Sequence, residues 1–419
     1  MNIKAPRGTK DILPPESALW QEIERAVDET ARVFGYDEIR TPMFEPVSLF
    51  KRSVGETSDI VSKEMYLFTD KGGEEMALRP ELTASVVRAA IEHNLISQQG
   101  SIAKLYYNSA PMFRYERPQM GRQRQFHQFG IELLGSPSAL ADLQTVAFAH
   151  SVYQRLGFVN FELRLNTLGS PEIREKWREY LVAYLRKYVN DLSDDSKRRL
   201  ETNPIRILDS KNERDHEIVR DAPAISDYLD EADKVHFDTL QAHLTDAGIK
   251  FRIDPLLVRG LDYYNRTVFE LTSNDLGSQD ALCGGGRYDG LVEQLGGPAI
   301  PAVGFAAGVE RLVIVLQKMR GIINQTPLDA YVVLADKSAV KTLIEVSSEI
   351  KGAGFSCTYD LLERSMKAQM REAGKLGARY VVILGADEIA NNSVTLKNMA
   401  EGSQEMIGRY LLADRLGKS

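Results

Sequence analysis

Residues 112–134, Met-Phe-Arg-Tyr-Glu-Arg-Pro-Gln-Met-Gly-Arg-Gln-Arg-Gln-Phe-His-Gln-Phe-Gly-Ile-Glu-Leu-Leu, set two strand-like runs around a short arginine-rich loop. No other stretch constrains the fold as tightly. After the loop the pattern has period two, so Phe126, Gln128, Gly130 and Glu132 share one strand face and His127, Phe129, Ile131 and Leu133 the other. One face reads as core and the other as a site. On the strand before the loop, the same alternation turns Arg114 and Glu116 to one side, where antiparallel pairing would bring them beside Gln128 and Glu132. A surface hairpin with solvated charges explains the loop. It leaves unexplained the polar residues that stand in register between apolar neighbours, because such groups in a partly buried sheet need partners or ligands. Arg117, Arg122 and Arg124 suit a polyanion, since guanidinium forks match phosphate oxygens.

A chain of 419 residues exceeds what one core usually serves, so two or three domains are expected. A net charge of -7 argues against coating nucleic acid by bulk charge, and any RNA contact must be local. Cys283 and Cys357 are too few and too far apart for a disulfide framework or a zinc site. The N-terminus lacks the apolar core of a signal peptide and no apolar run is long enough for a bilayer, so a cytoplasmic protein is expected.

Along the chain, Pro14 and Pro15 lead into an amphipathic stretch from Ser17 to Phe34 that Gly35 ends. Residues 36–50 alternate but contain Pro42 and Pro46, which demotes them to an edge or interface strand. Residues 76–83 read as a strand running into a helix that starts at Pro80, with Glu81 and Thr83 in its first turn; capping alone would account for Glu81. From 171 to 250 dense mixed charge at helical spacing reads as a helical insertion. After a linker at 320–327, strands at 331–335, 355–359 and 380–384 alternate with helical stretches, giving a small α/β domain with a partly parallel sheet and no phosphate-binding loop.

The 112–134 segment resembles motif 2 of the class II aminoacyl-tRNA synthetases in the form found in histidyl-tRNA synthetases, and the resemblance covers nearly the whole chain. Residues 259–264, Arg-Gly-Leu-Asp-Tyr-Tyr, match the histidine-specific signature without a break, and 301–312, Pro-Ala-Val-Gly-Phe-Ala-Ala-Gly-Val-Glu-Arg-Leu, resemble motif 3. Residues 36–50 resemble motif 1, which in that family builds a dimer interface around a proline matching Pro42. The fold implied is an α/β and α+β multidomain chain: a class II antiparallel-sheet catalytic domain over 1–325, interrupted by the insertion at 171–250, and an anticodon-binding domain over 327–419.

By that resemblance Arg259 and Arg114 are catalytic, lying beside the amino-acid carboxylate and the α-phosphate. Glu81 and Thr83 hold the histidine amino group, and Gln128, Glu132, Tyr263, Tyr264 and Tyr288 line the histidine pocket. Arg114, Glu116, Phe126 and Arg311 serve ATP, with Phe126 stacking on adenine and Arg311 meeting the γ-phosphate. The run Gly284-Gly285-Gly286 reads as close backbone approach to the substrate, and Gly304 and Gly308 as sites of close packing. Glu132 and Tyr264 can partner both imidazole nitrogens, which a pocket selective for histidine needs. Magnesium is expected with ATP; Glu116 and Glu310 are the candidates to approach it, and neither is assigned as a ligand. The partners implied are L-histidine, ATP, tRNA-His and a second copy in a homodimer, with neither DNA nor membrane. A non-catalytic alternative is the synthetase-like regulatory subunit of ATP phosphoribosyltransferase. It typically lacks the C-terminal domain and parts of the signature, both of which this chain keeps.

Overall fold

The helix expected after the two prolines runs over Glu16–Phe34 (α1) and stops where Gly35 turns left-handed at φ +70°, its N–H reaching back to the carbonyls of Ala31 and Arg32. Leu19, Trp20, Ile23, Val27 and Ala31 form its buried stripe. In this computed structural model, which describes residues 3–55, 58, 60–96, 100–273, 281–321 and 327–417, the chain separates into two units, Met1–Gly321 and Ile322–Ser419. Residues 322–326, within the expected linker, lie outside the described residues.

The first unit continues through β1 (Asp37–Glu38), β2 (Phe44–Pro46), α2 (Val47–Val54), β3 (Tyr66–Thr69), β4 (Glu75–Leu78) and α3 (Thr83–Glu92). The single strand expected over 36–50 is therefore divided. β1 edges the large sheet, β2 joins β4 and β3 in a small antiparallel sheet, and residues 47–50 are helical. Pro46 lacks an N–H and can stand before a helix without loss, which ends the strand there. α3 likewise begins at Thr83 and not at Pro80.

β5 (Ala103–Phe113) and β6 (Gln125–Leu134) are the long strands, followed by α4 (Ala139–Arg155) and β7 (Glu162–Thr167). Next come α5 (Pro171–Arg186), α6 (Asp194–Thr202), α7 (Glu213–Val219), α8 (Glu231–Asp246), β8 (Phe251–Ile253), β9 (Asn265–Thr272), β10 (Ala281–Arg287), α9 (Leu291–Gln294), β11 (Ala302–Gly308) and α10 (Val309–Arg320). Eight strands form one sheet in the order β1-β5-β6-β11-β10-β9-β7-β8, antiparallel at its centre, with parallel pairs at both outer edges. The insertion helices α5 to α8 are not a detached solvated module. Trp177, Leu181, Leu200 and Ile207 share one apolar cluster with Leu105, Met112 and Val268 of the sheet.

The β5–β6 register differs from the expected one. Met112 stands opposite Phe126, Ala110 opposite Gln128 and Leu105 opposite Glu132. Arg114 and Glu116 thus do not lie beside Gln128 and Glu132; Arg114 falls past the strand end, its N–H bonded to the Arg124 carbonyl at 2.9 Å. Antiparallel partners are equidistant from the loop centre, and the loop takes in residues 114–124. A register shift between Tyr107 and Ala110, around Ser109 at φ +44°, moves the pairing by one more residue.

The second unit comprises β12 (Ala330–Leu334), α11 (Val340–Gly352), β13 (Cys357–Tyr359), α12 (Met366–Lys375), β14 (Tyr380–Leu384), α13 (Ala386–Ala390), β15 (Ser393–Asn398), β16 (Gln404–Gly408) and α14 (Leu412–Gly417). Its sheet order is β13-β12-β14-β15-β16, parallel over the first three strands. Val332 and Val382 pack on Leu343, Val346 and Ile350 on one face, while Tyr331, Val333 and Val381 cover Ala373 on the other. The β15–β16 hairpin was not among the expected strands.

Candidate active site

Glu132, in the second half of β6, is 1% exposed. The Thr83 hydroxyl donates to its Oε1 at 2.8 Å and the Tyr288 hydroxyl donates to its Oε2. Burial pushes this carboxyl up to about 8, and the nearby charge of Glu81 acts in the same direction. Glu81 is buried as well. Its two oxygens accept the N–H groups of Thr83 at 2.8 Å and Ala84 at 3.0 Å, so it caps α3 from just outside the helix. Burial raises its pKa too, with the Ala84 N–H and Arg114 pulling the other way.

Around these carboxylates stand three buried tyrosines. The rings of Tyr263 and Tyr264 lie 4.7 Å apart, with Tyr288 at 5.6 Å and 6.4 Å from them. Gln128 occupies the Glu132 face of β6, opposite Ala110 and Gly308. An aromatic cup with two buried carboxylates fits a compact substrate carrying two separated nitrogen groups.

The other end is cationic. Arg114 donates from Nε to the Pro80 carbonyl at 2.8 Å, lies 5.3 Å from the Phe126 ring centroid and stands 3.9 Å from Glu116. Glu116 also meets Arg122 at 3.4 Å. Arg259 pairs with Glu270 and approaches the Tyr264 ring at 6.0 Å. Burial is the largest influence and opposes its charge, but Glu270 together with Tyr264, Cys283 and Tyr263 more than offsets it, so its pKa is raised. Arg311, in the first turn of α10, donates to the Ala281 carbonyl at 2.6 Å. Burial lowers its pKa, with repulsion from Arg122 and Arg259 adding to the effect. Guanidinium groups this close to one another are stabilised by an anion with several oxygens.

Glu310 is turned elsewhere. Its carboxylate accepts the His127 N–H at 2.9 and 3.0 Å and lies 2.9 Å from His127 Nδ1, on the β6 face away from Glu132. Among the described residues no group of three or more His, Cys, Asp or Glu side chains is placed to hold a metal ion. Both cysteines are free thiols.

The glycine run is closely packed against protein. A Cβ on Gly284 would lie 2.2 Å from Arg259 Nη1, one on Gly285 would meet the Gly304 carbonyl, and one on Gly286 the Thr267 carbonyl. Gly284 is the clearance that lets Arg259 lie across β10. Gly304 does pack closely, since its Cβ would lie 1.9 Å from Glu132 Oε2, whereas Gly308 has only the Arg311 side chain near it, at 3.9 Å.

Two further features were not read from the sequence. Tyr107, on β5, is buried with its hydroxyl facing Glu132, and Glu81 is its next strongest charged neighbour. Arg287, fully buried, forks onto Asp142 at 2.7 to 3.0 Å and bonds Asp289 at 3.1 Å, which anchors the residue on each side of Tyr288 to α4. Tyr107 had a signal in the alternation along β5; the Arg287–Asp142 contact had none.

The family model "Histidyl-tRNA synthetase" matches residues 8–312, and "Anticodon binding domain" matches residues 329–418. A protein of Picosynechococcus sp. named histidine–tRNA ligase is 49% identical over 415 residues, covering 99% of this chain and 96% of that protein. One of Listeria innocua with the same name is 44% identical, covering 99% and 98%. The crystal structure of apo S. aureus histidyl-tRNA synthetase superposes with a TM-score of 0.82 at 37% identity, covering all of both chains. A structure from Bacillus halodurans described as an ATP phosphoribosyltransferase regulatory subunit/histidyl-tRNA synthetase shares the fold at 22% identity and a TM-score of 0.64.

Proposed function

The chain belongs to the histidyl-tRNA synthetase family, and on that premise we propose how its site performs the family's reaction. The activity is histidine–tRNA ligation, in which histidine and ATP give histidyl-adenylate and pyrophosphate, and histidine then passes to tRNA. Full-length relatives at 44% to 49% identity carry the ligase name, while the likeness to a regulatory subunit at 22% identity speaks only for the fold.

One observation carries the assignment of roles: two buried carboxylates, Glu81 and Glu132, lie in an aromatic cup beside a cluster of arginines. Glu81, Thr83 and Gln128 receive the α-ammonium of histidine. Glu132 and Tyr264 partner the two imidazole nitrogens, with Tyr263 and Tyr288 as walls. Arg259 and Arg114 fix the substrate carboxylate against the α-phosphate of ATP, Phe126 stacks on adenine, Glu116 borders the nucleotide and Arg311 takes the γ-phosphate.

The carboxylate oxygen attacks the α-phosphorus, the bond to the bridging oxygen breaks, and pyrophosphate leaves. Negative charge gathers at phosphorus during this step, and fixed guanidiniums lower its energy without reorganising. No side chain acts as nucleophile, so catalysis is positioning plus electrostatics.

Magnesium enters with ATP. Glu116, beside Arg114 and Arg122, would be the side chain to approach the ion, whereas Glu310 is engaged by His127. The ion supplies neutralisation of the β and γ oxygens.

Residues 1–325, with the insertion at 171–250, constitute the catalytic part, and 327–419 the anticodon-binding part. A homodimer is supported by Met43, Phe44, Leu67 and Phe68, which expose apolar area on and beside the small sheet. No helix among the described residues is long and apolar enough to cross a membrane. We assign the protein to the cytoplasm, with neither DNA nor membrane as partner. Incubation with ATP, magnesium, labelled histidine and tRNA-His tests the whole reading. Label on the tRNA is expected; histidine binding without pyrophosphate release or charging would favour a regulatory role.

A further inference from the structure

Tyr263 and Tyr264 sit on an irregular turn, residues 254–264, between β8 and β9, and no sheet ladder holds it. Its backbone groups must nevertheless be satisfied. Asn166 of β7 donates to the Pro255 and Leu257 carbonyls at 3.2 and 3.0 Å, and the insertion serves the end that carries the tyrosines. Arg174, one turn into α5, donates from Nη1 to the Asp262 carbonyl at 3.0 Å and to the Tyr264 carbonyl, bracketing both tyrosines. Asn203, just after α6, donates from Nδ2 to Asp262 Oδ1 at 2.8 Å. At the base of the turn, Asp233 of α8 accepts from Arg266 Nε at 2.9 Å and from the Ser170 N–H at 2.6 Å.

The placement of Arg174 runs against local preference, since a cation near a helix N-terminus faces the positive end of the dipole. Burial also disfavours its charge. Both costs are offset by the carbonyls it holds. On the opposite side Gly55 packs closely on the turn, since a Cβ there would lie 2.7 Å from Asp262 Oδ2.

We propose that Arg174 is a positioning residue for histidine recognition, which makes the helical insertion the support of the amino-acid pocket. It touches neither histidine nor ATP. By fixing the carbonyls on either side of Tyr263 it fixes the ring positions of Tyr263 and Tyr264. The inference rests on the histidine-pocket reading above.

The test is steady-state ATP–pyrophosphate exchange by the full-length protein, with histidine and ATP varied separately, for the unsubstituted chain, Arg174→Ala, Arg174→Lys and Asn203→Ala. Loss of two charge-assisted hydrogen bonds from a pocket-forming turn is expected to raise KM for histidine about tenfold in Arg174→Ala, with KM for ATP within about twofold. Arg174→Lys should recover part of the loss, and Asn203→Ala should show a smaller shift in the same direction, which keeps the test open if Arg174→Ala fails to fold. The inference is overturned by histidine KM values within about twofold of the parent in the folded variants, or by equal rises in both KM values, which mark general loosening. Absence of histidine-dependent exchange in the unsubstituted chain would overturn the functional reading instead.

Discussion

Glu132 carries the sharpest physical consequence at the scale of single residues. Its carboxyl, pushed up to about 8 by burial, is largely protonated at neutral pH in the ligand-free chain. A pKa raised on folding contributes stability that is complete below the unfolded value, near 4.5, and is lost as pH rises through about 8. Denaturation of the ligand-free protein between pH 5 and pH 9 should therefore show a decline, on the order of a few kcal/mol, that Glu132→Gln removes while also weakening histidine activation. Parallel pH curves for the two proteins would contradict the burial argument. Arg259→Ala should reduce adenylate formation by at least about a hundredfold with the fold retained, since it removes a cation aimed at developing charge; exchange retained by the folded variant would remove Arg259 from the chemistry. These residues were legible because their types and spacings are unusual for plain core or surface. Alternation along β5 marked Tyr107 only as a face-sharing residue, and the Arg287–Asp142 pair left no mark, because the meaning of both depends on which distant strand or helix the topology brings alongside.

Glycine spacing in β10 and β11 decides what the central sheet can carry at the scale of elements. An alanine at 284 meets a movable guanidinium, whereas an alanine at 304 meets the Glu132 carboxylate and the Ile131 carbonyl at 2.4 Å. Gly284→Ala is thus expected to keep near-parental melting and lose activation much as Arg259→Ala does, while Gly304→Ala should lower the melting temperature itself. Equal melting for the two variants would contradict this division. Helix α1 was legible from its apolar stripe and Gly35. The edge character of the 36–50 stretch was legible from its prolines, since β1 and β2 are both edge strands, but its division was not, because Pro46 marks the point where strand becomes helix. The β5–β6 register was misread because alternation reports faces but not loop length, and a one-residue irregularity at Ser109 leaves no trace in hydropathy.

Two units share the work in the molecule as a whole. The insertion, read from sequence as a charged helical module, packs into the catalytic core through Trp177 and Leu181 and holds the tyrosine turn through Arg174. Composition announced its helices but not this support, because the contacts join residues about ninety positions apart. Removing residues 327–419 is expected to weaken tRNA charging far more than adenylate formation, since every group assigned to activation lies in the first unit. Equal losses in both reactions would argue against an anticodon-binding role.

The central claim, a site that activates histidine and no other amino acid, is tested most directly by ATP–pyrophosphate exchange with each of the twenty amino acids supplied separately. Exchange with histidine alone is the predicted result, because in the roles proposed for them Glu132 and Tyr264 would be left as unpaired buried polar groups against a side chain lacking the imidazole nitrogens. Exchange with another amino acid at comparable efficiency, or none with histidine from folded protein in the presence of magnesium, would contradict it.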